Sequence, residues 1–129
     1  MSVDLIIMPL RNAGELKGHV LGFSRLEFDT DYRIFAQIAN VEGKSTFPDE
    51  GVEAIVKTYS LPHGVKIETY ESWGIKKGRK NGYGEEMVYT TAGEMKKIQI
   101  PKVISDRNKA IMAYIQALKK DTPIILEWS

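Results

Sequence analysis

Cysteine is missing from the 129 residues altogether, which excludes a disulfide framework, a thiolate zinc site, a cysteine nucleophile and thiol redox chemistry. Long apolar runs are missing too. The run at residues 5–8 covers four positions, far short of the ~18 that mark a spanning helix, so no membrane partner is expected. Asp4 stands before that run with no basic residue ahead of it. This is not the layout of a signal peptide, and a cytoplasmic location is expected. Histidine is scarce, with only His19 and His63 and no zinc-type spacing between them. Net charge is almost absent: 18 Lys+Arg balance 17 Asp+Glu. No global field steers the chain toward nucleic acid or a membrane surface.

What is present suits a folded domain. A hydrophobic fraction of 43% beside 27% charged residues is globular and excludes disorder throughout. The length favours one domain spanning residues 1–129. Charge is uneven along it: residues 1–55 hold 5 Lys+Arg and 9 Asp+Glu, whereas residues 56–129 hold 13 and 8. The basic second half either presents a face to an anionic ligand or attracts the first half within one fold.

Periodicity predicts the element order βββαββαβ. Residues 3–10 are dense and β-branched, with Pro9 pointing to an end or an edge. Residues 19–29 and 32–39 read as strands, the second from Tyr32, Ile34, Ala36 and Ile38 at period 2. A helix is expected over residues 48–60. Pro48 and three acids suit its start, and Val52, Ile55, Val56 and Tyr59 form an i, i+3, i+4, i+7 stripe. Strands are expected at 65–73, 85–91 and 96–100. A second helix over 105–119 is capped by Ser105 or Asp106 and buries Ile111, Tyr114, Ile115 and Leu118, and a strand at 124–128 follows it. The expectation is an α+β fold: a mostly antiparallel sheet with two principal helices, at 48–60 and 105–119.

Residues 74–84 break the pattern and carry the strongest chemical signal. Lys76, Lys77, Arg79 and Lys80 place four cations in five residues, among four glycines, with Trp73 and Tyr83 at the margins. Glycines let backbone N–H groups approach an anion, cations supply charge for phosphate, and aromatic faces stack bases. These six residues are the candidate binding site. The plain alternative is a solvated hairpin tip whose lysines stay wet.

Other motifs are weaker. Gly43-Lys44-Ser45 imitates the end of a P-loop, but the glycine required five residues earlier is Ile38. Glu27, Asp29 and Asp31 alternate, and a straight strand would line them up for a hard cation. His63 is a candidate general base in a Pro-His-Gly turn. The leading expectation is therefore a non-enzymatic binding or accessory protein, without a cofactor, recognising a nucleotide, a nucleic acid or an acidic partner. A small phosphoesterase using Glu27, Asp29 and Asp31 or His63 is the second. The third is an adaptor pairing through an edge strand at 124–128; an exposed edge at 5–8 or 124–128 would also favour a homodimer.

Overall fold

The computed structural model describes residues 3–22 and 24–129. The strands and helices are β1 (Leu5–Pro9), β2 (His19–Leu21), β3 (Leu26–Glu27), α1 (Tyr32–Phe35), β4 (Tyr59–Ser60), β5 (Lys66–Glu71), β6 (Gly74–Gly78), β7 (Val88–Thr91), α2 (Ala92–Met95), α3 (Asp106–Ala117) and β8 (Pro123–Trp128). Short 3-10 turns lie at Ala13–Glu15 and Pro48–Glu50. The architecture is α+β, with α3 the one principal helix.

Two sheets form. The larger is antiparallel throughout, in the order β3-β1-β8-β7-β4; the smaller is β2-β5-β6, with β2 parallel to β5. Side chains alternate across β8, so its two faces feed two cores. Ile124, Leu126 and Trp128 join Leu5, Ile7, Phe35, Met112 and Ile115 under the helices. Ile125 points the other way and joins Met8, Val20, Ile67 and Met87 against the smaller sheet. The larger sheet is thus covered on both faces, and each fully buried Ile or Leu contributes roughly 1.5–3 kcal/mol. Glu127 occupies the smaller-sheet side of β8, where apolar neighbours would be expected. It is only 4% exposed.

The best-formed helix keeps its predicted place. The Ser105 side chain accepts the Asn108 N–H at 3.1 Å, and Ile111, Met112 and Ile115 are buried. Tyr114, expected in that stripe, is 45% exposed; Met112 takes the inward position instead.

Three expected elements are corrected. Residues 48–60 are not a helix. Pro48, Asp49 and Glu50 make one 3-10 turn, and Gly51 ends it at φ 65°, a left-handed conformation that favours glycine. Beyond it, the Ile55 and Val56 N–H groups donate to the Gln37 carbonyl (3.0 and 2.9 Å), and Ala39 N–H donates to the Val56 carbonyl (2.9 Å). Residues 32–39 are not a strand but begin with α1, whose cap is the Asp31 side chain accepting from Arg33 N–H at 3.1 Å. Residues 96–100 are not a strand; α2 precedes them, capped by Thr91.

The proposed edges are corrected too. β1 is paired on both sides and β8 is the middle strand of five. A dimer through residues 5–8 or 124–128 loses its premise.

Candidate functional site

Residues 74–78 were expected to be patternless and instead form β6, the outer strand of the smaller sheet. Glu71 pairs with Gly74, so Ser72 and Trp73 make a two-residue turn. Which β6 groups stay open follows from its neighbour. Lys66 N–H donates to the Gly18 carbonyl (2.9 Å), and the Glu68 carbonyl accepts from Gly22 N–H (2.8 Å), so β5 faces β2 at these residues. Backbone direction alternates along a strand. Ile67, Thr69 and Glu71 therefore face β6 and bond to their partners Gly78, Lys76 and Gly74. Ile75 and Lys77 are left with N–H and C=O pointing off the sheet. At the next outward position the Arg79 carbonyl already accepts Met87 N–H at 2.6 Å. Among the described residues nothing pairs with this edge, which is two residues long.

The same alternation sorts the side chains. Ile67 and Thr69 are buried beneath the sheet, and Lys76, opposite Thr69, sits on that inner side. On the outer face Leu21 lies beside Glu68, Glu68 opposite Lys77, and Tyr70 opposite Ile75. Leu21, Tyr70 and Ile75 are about half exposed, and Trp73 at the turn is 74% exposed. An open edge thus adjoins an apolar, aromatic-fringed surface.

The six predicted site residues do not converge on one ligand position. The Lys76 Nζ reaches Glu127 Oε2 at 3.3 Å, and Arg25 Nη2 holds Oε1 of the same carboxylate at 2.9 Å. Arg79 is spent more completely. Its Nη1 donates to the Pro62 and Val65 carbonyls (2.9 and 2.8 Å), its Nη2 to the Leu61 carbonyl (3.3 Å), and its Nε to Glu86 Oε1 (3.2 Å). The hydrogen bond and charge of Arg79 hold the Glu86 carboxyl below its ordinary value. Tyr83 donates its hydroxyl to the Ser129 carbonyl at 3.0 Å. Lys77, Lys80 and Trp73 are exposed, and among the described residues neither lysine makes an ion pair. Two of the four cations of the predicted site, Lys76 and Arg79, are engaged within the fold.

The second constellation also disperses. Asp31 caps α1 and receives the Arg33 guanidinium at 3.0 Å, which raises the Arg33 pKa. The Asp29 N–H donates to Asn108 Oδ1 at 2.8 Å, and Glu27 ends β3. Among the described residues no three His, Asp or Glu gather to hold a metal ion. His63 sits exposed in the turn after Pro62.

Sequence reasoning missed Leu21, Tyr70 and the backbone of Ile75 and Lys77. The available signal was small: glycines at 74 and 78 bracketing Ile75, Lys76 and Lys77. Family models, curated proteins and solved structures were all compared with the chain, and none matches.

Proposed function

We propose that the chain is a non-enzymatic binding module that captures an acidic, extended segment of a partner protein along β6. The observation that carries this reading is the open edge at Ile75 and Lys77. A strand laid against it would take up to four backbone hydrogen bonds, the mode by which extended peptides augment sheets. Charge supports an acidic occupant, since Lys77 and Lys80 are exposed and residues 72–84 include no carboxylate. The occupant's outer face would set an acid beside Lys77 and apolar side chains beside Ile75, Tyr70 and Leu21, which share that face. A second copy is disfavoured, because it would bring its own Lys77 and Lys80 against this edge.

The test is titration of a five-residue peptide of Glu and Val that carries both on its outer face, followed by fluorescence anisotropy, beside a single-stranded oligonucleotide of equal charge. The peptide should bind and the oligonucleotide should not. Lys77→Glu should weaken the peptide at least about tenfold, because it reverses a complementary charge. Ile75→Pro should weaken it as well, since it removes an outward N–H without breaking a bond to β5. Peptide binding unchanged in both variants, or tighter binding of the oligonucleotide, would overturn the reading.

A further inference from the structure

Two loops far apart in sequence fold identically and stand at one cleft. Asn40-Val41-Glu42-Gly43-Lys44 and Asn81-Gly82-Tyr83-Gly84-Glu85 share no pattern beyond Asn and the glycine three residues later. In the first, Asn40 Oδ1 accepts the N–H of Glu42 and Lys44 (2.9 and 3.0 Å). In the second, Asn81 Oδ1 accepts the N–H of Tyr83 and Glu85 (2.9 and 3.1 Å). In both, the Asn carbonyl accepts from the glycine N–H and the Asn N–H donates to the fifth residue's carbonyl. Gly43 and Gly84 lie at φ 85° and 77°, which the turn requires.

Asn40 and Asn81 both line a cleft of about 500 Å³, with Met87, Val88 and Trp128 among its apolar lining. That volume falls within the ~300–1,000 Å³ of small-molecule sites, where apolar walls with a few polar groups are usual. Each carboxamide oxygen is spent on its own loop, so the group each asparagine offers a guest is its NH₂ donor. Those donors call for acceptors, and Trp128 and Tyr83 favour an aromatic ring. Charge narrows the choice. Glu85 and Glu86 stand on the same lining, and they repel an anion, whereas a cation brings no acceptor for the donors.

We propose that this cleft is a second site, for a small neutral aromatic molecule bearing a carbonyl acceptor. It is independent of the β6 edge. The test uses three probes on one ring, namely benzamide, benzoate and benzylamine, each titrated while the Trp128 indole N–H and Met87 methyl resonances are followed by NMR. Benzamide should shift both saturably, and benzoate and benzylamine should bind at least several-fold more weakly. Val41→Arg, at an exposed lining residue, should abolish the shifts, and Lys77→Glu should leave them intact. The proposal falls if benzamide gives no saturable shift, if the shifts survive Val41→Arg, or if either charged probe binds as well.

Discussion

The two sheets differ in what they leave uncovered. In the larger, β8 is paired on both sides and packed on both faces, and five of its six residues are buried. In the smaller, β6 is paired on one side among the described residues, and none of its five residues is fully buried. Strand pairing alone therefore does not make a structural core; the number of covered surfaces does. The larger sheet can carry the stability while the smaller one remains free to recruit.

Cavity mutants break this comparison most sharply. Leu126→Ala on β8 should cost about 3–4 kcal/mol in urea unfolding, whereas Ile75→Ala on β6 should stay within about 0.5 kcal/mol. Equal costs would mean the sheets share one core. Next comes Glu127, the buried carboxylate through which β8 holds Lys76 of the smaller sheet and Arg25. Glu127→Ala removes the carboxylate that both Lys76 and Arg25 engage and should cost about 2–3 kcal/mol, below the usual figure for a buried pair because both cations keep partial contact with water. Glu127→Gln should cost less, since an amide oxygen still accepts.

Gly82→Ala should be milder, about 1–2 kcal/mol for a crowded site. An added Cβ would stand 2.7 Å from Ser129 Cβ and 2.9 Å from its Cα, so the adjustment falls where the 81–85 loop meets the end of β8. The smallest effect is electrostatic. Arg79 depresses the Glu86 pKa below the ordinary 4.5, so the pair's stabilisation is complete above that value and fades as pH falls through the depressed one. Carboxyl titration by NMR should show Arg79→Gln returning Glu86 toward 4.5.

Legibility in the sequence followed the same division. α3 and β8 could be read because each has one clean periodicity or a dense apolar run, and Ser105 announces the helix. Residues 34–39 could not, because all six are buried. A segment covered on every side has no polar face to mark its period, and the alternation of Tyr32, Ile34, Ala36 and Ile38 fits a strand as well as a helical turn. The missing helix at 48–60 had its refutation in place: Gly51 follows the start signals by three residues and stops the turn they begin. Gly93 lies inside α2, where an added Cβ would stand 3.0 Å from the Lys120 carbonyl oxygen, so that close approach requires glycine.

The site was legible in composition but not in commitment. The cationic cluster is evident in the chain, yet Glu127, which engages Lys76, lies 51 residues away, and Arg79 is consumed by carbonyls of the loop before β5. Only strand pairing reveals that Ile75 and Lys77 turn their backbone outward. No local pattern encodes that.

The account rests on those two backbone groups being open in the free protein and closed by an acidic strand. Amide hydrogen exchange reads both directly. Ile75 and Lys77 should exchange fast in the free protein while Ile125 and Leu126 stay protected. Saturating Glu/Val peptide should then slow Ile75 and Lys77 and leave β8 unchanged. Protection of Ile75 and Lys77 before peptide is added, or fast exchange at both after saturation, would contradict it.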